Sequence, residues 1–183
     1  MRKLFTFVTL AALIVIATTV FMAATNNQQG GSLGFEASLS GAQEVPARDT
    51  PATGKVEVEF DEAFTQAEVR LRVFDIQNVV AAHFHCNRAG LNGPVAFGLF
   101  SPGNFVFDAE TGEAEGVLTN DDFTGADCEP IIGRPVNNIA ALAFAMQDGP
   151  IYANVHSDDG QGDPNTGPGD FPGGEIRGQL WGD

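Results

Sequence analysis

Histidine, tyrosine, tryptophan and cysteine are all scarce in this chain: three, one, one and two residues respectively among 183. Lysine is nearly missing as well, with Lys3 and Lys55 the only examples against 24 acidic residues and a formal charge of −15. A field of that sign repels phosphate backbones and anionic membrane surfaces, so nucleic acid is not an expected partner. The fingerprints of common catalysis are also missing. No Gly-x-Ser-x-Gly elbow, P-loop or dinucleotide motif occurs, and no carboxylate pair is singled out as acid and base. Nothing in these motifs marks the chain as an enzyme. Apolar residues are plentiful and spread along the chain, which argues against disorder.

Long apolar runs are limited to one. Arg2 and Lys3 precede an uncharged stretch from Leu4 to Ala24, and small residues Ala23, Ala24 and Thr25 lead into the polar Asn26–Ser32. This order predicts an export signal over residues 1–25, followed by a polar linker over 26–34 and a single domain over 35–183. The run is also long enough to span a bilayer, so a retained N-terminal anchor is the rival reading. Cleavage would remove Arg2 and Lys3 and take the formal charge from −15 to −17, with no membrane span left. The expected location is periplasmic, cell-surface or extracellular. Two cysteines, Cys86 and Cys128, suit that oxidising setting as a disulfide closing a loop of about 40 residues, worth about 3–4 kcal/mol. The other reading makes Cys86, beside His85, a metal-binding thiolate.

Alternation of apolar and polar side chains dominates what remains. Lys55–Phe60 and Glu68–Val73 alternate strictly and predict a hairpin around Asp61–Gln66. Further strands are expected at Phe35–Leu39, Val79–His85, Val95–Phe100, Phe105–Phe107, Glu113–Leu118, Ile151–His156 and Glu175–Trp181, punctuated by Gly and Pro clusters. Only Asn137–Gln147 has helical spacing, through Ile139, Leu142, Ala143 and Met146. A second short turn is expected around Asp121. The prediction is an all-β antiparallel sandwich or barrel with one short helix.

Three segments carry a resemblance. Leu39-Ser40-Gly41-Ala42-Gln43-Glu44-Val45-Pro46 opens it, Ala81-Ala82-His83-Phe84-His85-Cys86 follows, and Tyr152-Ala153-Asn154-Val155-His156 with Pro172-Gly173-Gly174-Glu175-Ile176-Arg177-Gly178 closes it. In this order they resemble the CHRD domain, the module named for its repeats in chordin and found in many bacterial secreted proteins. The resemblance implies a secreted β-sandwich of immunoglobulin-like character acting as a binding or structural module, without a settled activity. The stretch Ser157–Phe171 is longer than the corresponding loop in many members.

All three histidines, His83, His85 and His156, lie in those segments. Residues i and i+2 of a strand share a face, so His83 and His85 stand side by side. If His156 packs nearby, three imidazoles converge as a donor set for copper or zinc. The other reading has the rings tie strands to loops through backbone carbonyls or carboxylates, with Asn154, Glu175 and Arg177 as candidate partners. Glu175 and Arg177 are otherwise read as a structural motif able to form or join an ion pair. The acidic loop containing Asp158, Asp159, Asp163 and Asp170 offers hard oxygen donors for calcium, although its spacing is not that of an EF-hand; a solvated loop is the simpler reading. Two functions follow: a module of the cell envelope or extracellular space that contacts an unidentified macromolecule, or a copper or zinc metalloprotein.

Overall fold

The computed structural model describes residues 33–182. The expected signal or anchor, and the linker as far as residue 32, lie outside the described residues. Among the described residues no helix is long and apolar enough to cross a membrane.

Ten strands form one antiparallel sheet. They are β1 (Leu33–Ser40), β2 (Thr53–Phe60), β3 (Ala67–Phe74), β4 (Val79–Cys86), β5 (Val95–Phe100), β6 (Val106–Asp108), β7 (Glu113–Leu118), β8 (Ile151–Ser157), β9 (Ile176–Gln179) and β10 (Trp181–Gly182). Their order in the sheet is β5-β4-β8-β9-β1-β2-β3-β7-β6, with β10 also on β1. The two ends of this path meet again. A tight turn after β5 pairs Phe100 with Asn104, and the Phe100 and Phe107 rings stack at 5.4 Å, so the sheet curls into a nearly closed barrel. The fold is all-β, as expected.

The predicted hairpin is β2–β3, in register from Thr53↔Phe74 to Phe60↔Ala67, its turn closed by Asp61 Oδ1 accepting from the Thr65 and Gln66 amides at 2.7 and 3.0 Å. β1 begins two residues before its expected start and takes in Leu33 and Gly34, the last residues of the expected linker. The last expected strand is divided: Leu180, fully buried, breaks it into β9 and β10 and donates to Ile151. Helix α2 (Ile139–Gln147) matches the predicted segment, with Asn138 Oδ1 capping the Ala141 amide at 2.8 Å. A single turn of helix, α1 (Glu129–Ile132), was not legible beforehand and follows Cys128 directly. The turn expected near Asp121 is a 3₁₀ turn, Asn120–Asp122.

The sheet has two different halves. In β1, β2, β3 and β7 the strict alternation is realised: Phe35, Val56, Val58, Phe60, Val69 and Leu71 face inward and are essentially buried. Outside, Lys55 bridges Glu36 and Glu57 at 2.7 and 2.9 Å, while Arg70 and Arg72 meet Glu115 and Glu113 at 3.0 and 2.8 Å. Each such exposed pair contributes about 0–1 kcal/mol, against about 1.5–3 kcal/mol for each large buried side chain. The interior therefore carries the stability. In β4 from Ala81 onward, and in β8 and β9, both faces are buried. The inner face packs Ala82, Phe84, Ala153, Val155 and Ile176 in the core, and the outer face carries polar side chains roofed by loops.

The cysteines form a disulfide, with Cα atoms 5.9 Å apart across 42 positions and both residues buried. Cys86 alternates with His85 and points into the core. The thiolate reading of Cys86 is thereby overturned.

Candidate metal centre

The roofed outer face holds the chemistry. β4 and β8 pair with Ala81↔His156, His83↔Asn154 and His85↔Tyr152, and β8 and β9 pair with Asn154↔Arg177 and Tyr152↔Gln179. His83, His85, Tyr152, Asn154, His156, Arg177 and Gln179 therefore share one face. Against β5 the pairing of β4 shifts twice, between Ala82 and His83 and between Phe84 and His85. Such irregularities re-aim side chains and recur beside functional sites.

His83 and His85 stand side by side, and the pairing of β4 with β8 brings His156 to them. Ring centroids lie 4.9 Å apart for His83–His156, 5.7 Å for His83–His85 and 6.0 Å for His85–His156. One ring nitrogen from each lies within 4.8 Å of the other two. The residues are 7, 7 and 9% exposed.

Each ring is also tied to a loop by a backbone carbonyl. His83 Nε2 meets Ser101 O at 3.1 Å, His85 Nδ1 meets Gly93 O at 2.9 Å, and His156 Nδ1 meets Pro172 O at 2.9 Å. A carbonyl only accepts, so each of these nitrogens carries the ring's N–H. The remaining nitrogens, His83 Nδ1, His85 Nε2 and His156 Nε2, are then bare lone pairs. His83 Nδ1 and His156 Nε2 nonetheless face each other at 3.1 Å, and His85 Nε2 is buried without a partner. Four contacts call for four protons, and three neutral imidazoles supply three. Burial disfavours a fourth: it pushes His85 and His156 down to about 4, and His83 is also lowered, chiefly by desolvation.

Loop placement depends on two glycines. A Cβ on Gly98 would lie 2.2 Å from Pro102 O, so only glycine lets the 101–103 turn lie on β5 and present Ser101 O to His83. Gly174, at φ +121°, leaves room for Glu44 and Asn154, whose side-chain oxygens would sit 2.7 Å from a Cβ there.

Tyr152 organises the far side of His85. Its ring stacks on His85 at 4.9 Å and 10°, and the Arg177 guanidinium lies 3.4 Å above the tyrosine ring centre. The hydroxyl accepts from Gly93 N–H at 3.0 Å, and Gly93 O is the acceptor for His85. Arg177 also donates to Asn92 Oδ1, Arg88 O and Leu91 O at 3.3, 3.1 and 2.9 Å. Glu175 accepts from Thr50 Oγ1 at 2.5 Å, Gly169 N at 3.0 Å and Ser157 Oγ. The suggested Glu175–Arg177 ion pair does not form: each residue anchors a different loop. Nor do Asn154, Glu175 and Arg177 hydrogen-bond the histidines, because the carbonyls take that role. Asn154 Oδ1 and Glu44 Oε1 are buried acceptors without a donor, and burial raises Glu44 to about 7 against the pull of Arg177 and Arg48.

The roles of Gly93, Ser101 and Pro172 are not legible in the sequence, because a carbonyl's role depends on where its loop lies. Tyr152 and Glu44 stood inside recognised motifs, and only their scarcity or position could have singled them out.

In the acidic loop, Asp158, Asp159 and Asp170 bring oxygens within 4.8 Å of one another, and Asp163 is not in that group. These carboxylates already close turns: Asp158 accepts from Gly160 N at 2.7 Å, Asp159 from Gln161 N at 2.8 Å, and Asp170 from Thr166 N and Oγ1 at 2.9 and 2.7 Å.

Comparison with known proteins adds one finding and one blank. No curated protein matches the chain. A family model, described as the CHRD domain, matches residues 35–163, which take in the opening motif, His83, His85 and His156 but stop short of Gly173–Gly178. That range is well over half of the sequence, and the chain belongs to the CHRD domain family.

Proposed function

We propose that this CHRD domain is an exported metal-binding module that holds copper or zinc on His83 Nδ1, His85 Nε2 and His156 Nε2. The proton count carries this reading. Three buried imidazoles have their tautomers set by carbonyls; His83 and His156 turn bare nitrogens on each other at 3.1 Å, His85 Nε2 is a third bare nitrogen in the cluster, and a cation relieves the resulting repulsion. An N–H bonded to a backbone carbonyl behind the ligating nitrogen is the usual support of a metal-bound histidine. Membership in the family supports a binding or structural module, and the metal is the finer statement. Export is supported by the charge, apolar run and small residues of positions 1–25 and by a disulfide that persists in oxidising compartments.

The test is metal content by mass spectrometry of protein isolated from its exported fraction without chelator, beside a His83→Ala/His85→Ala variant. Near-stoichiometric copper or zinc, absent from the variant, is the expected result. Metal-free protein that takes up neither ion when supplied would leave the histidines as strand-to-loop ties and direct attention to a macromolecular partner.

A further inference from the structure

We propose that the occupant is copper in its cuprous state, one Cu(I) on three neutral imidazoles without an anionic ligand; this rests on the metal-binding reading and adds the ion's charge and oxidation state. The argument is one of charge. The converging donor set contains no carboxylate and no thiolate. Cys86, the thiol adjacent to it in sequence, is held in the disulfide with Cys128. None of the buried carboxylates of the roofing loops is among the converging donors. Glu175 accepts from Thr50, Ser157 and Gly169, Asp170 from Thr166, and Glu44 lies in the field of Arg48 and Arg177. Arg177 places a full positive charge one aromatic ring behind His85.

An ion entering here leaves most of its water behind, since the three histidines are only 7–9% exposed. The cost of desolvating an ion scales with the square of its charge, so an uncompensated divalent cation costs about four times as much as a monovalent one. Zinc on three protein ligands keeps water or substrate in the open fourth position. Imidazole suits copper as well as zinc, and a d¹⁰ monovalent copper is satisfied by two or three such donors with no further ligand. The chain as described supplies that number of donors and no compensating anion.

Full-length protein is titrated anaerobically with Cu(I), kept reduced by ascorbate, against a chromophoric Cu(I) chelator. Parallel titrations use Zn(II) and, without reductant, Cu(II), each against a chelator of known affinity. The expected result is one Cu(I) per chain, a preference of about 100-fold or more over both divalent ions, and no displacement by excess Zn(II). Tighter 1:1 binding of Zn(II) or Cu(II) on the same histidines would overturn the cuprous assignment while leaving the metal site standing. Uptake of none of the three would overturn both. The comparison is made on the unaltered protein, so no variant has to fold for the outcome to count.

Discussion

His83 Nδ1 and His156 Nε2 face one another at 3.1 Å between β4 and β8, while the opposite nitrogen of each ring is held by a carbonyl, Ser101 O at 3.1 Å and Pro172 O at 2.9 Å. Neither ring can rotate to relieve the contact without giving up its loop.

Metal should therefore stabilise the fold. A ligand that binds the native state alone adds about 2.7 kcal/mol at a hundredfold excess over Kd. Calorimetric melting with Cu(I) or Zn(II) should show a higher Tm that vanishes in His83→Ala/His85→Ala. An unchanged Tm in the parent would contradict the site.

The metal-free protein should weaken on acidification. Burial holds His85 and His156 at about 4, below the ordinary value of 6.5, and His83 is also lowered. Unfolded histidines then bind more protons than folded ones between about pH 6.5 and 4, so stability present above pH 6.5 is lost across that window. Each of His85 and His156 accounts for about 3 kcal/mol at most. Glu44 acts in the opposite sense, because its value is raised from 4.5 to about 7 and its contribution is lost as pH rises through that range. With three histidines against one carboxyl, urea midpoints should rise from pH 4.5 to 6.5 and level off near 7. A flat profile would show that the rings are not buried as neutral bases.

Tyr152 should matter to the metal through His85. Tyr152→Leu removes the ring stacked at 4.9 Å and the acceptor for Gly93 N–H, and metal affinity should fall about 10–100-fold, the usual effect of losing a group that orients a ligand. Tyr152→Phe keeps the ring and loses only the hydroxyl, so it should recover most of the affinity. Equal affinities in parent and Leu variant, measured by chelator competition, would remove Tyr152 from this role.

Replacing both cysteines, Cys86→Ala/Cys128→Ala, should cost about 3–4 kcal/mol from the freed loop of 42 positions. Metal stoichiometry should not change, because Cys86 points to the core and the histidines to the roofed face. Loss of metal from a still-folded double variant would contradict that division.

The acidic loop should ignore calcium. The oxygens of Asp158, Asp159 and Asp170 already accept from turn amides or Thr166. Melting in millimolar calcium and in EDTA should coincide; a higher Tm in calcium would make the cluster a site.

Legibility of the sequence followed the two halves of the sheet. In β2 and β3 one face meets water, so Val56-Glu57-Val58 and Val69-Arg70-Leu71 advertise both strand and orientation. In β8, β9 and β4 from Ala81 onward neither face does, and Ala81–Cys86 and Ile151–His156 lose the polar alternation that would have shown which side faced what. Their strand character was still readable from composition and flanking turns, as was the helix at Ile139–Gln147. The one-turn helix at Glu129–Ile132 was not, since four residues are too few to show a period. The mistaken pairing of Glu175 with Arg177 had the same root. Glu175 lies just before β9, and the loops that reach each side chain first, through Thr50 and Ser157 or through Asn92 and Arg88, come from distant parts of the chain.

By itself the sequence determined an all-β antiparallel sandwich or barrel with a helix over 139–147, that two cysteines were available for a bridge, and that all three histidines stood at strand positions where period two aligns two of them. Those are local properties, set by side-chain spacing along an extended backbone. Tertiary structure alone decided that His156 crosses onto the same face, and that Gly93, Ser101 and Pro172 lend the carbonyls that hold each proton away from the centre. A hydrogen bond from a ring to a carbonyl carries no signature in the identity of the residue that owns the carbonyl; it exists only once the loop has been laid down.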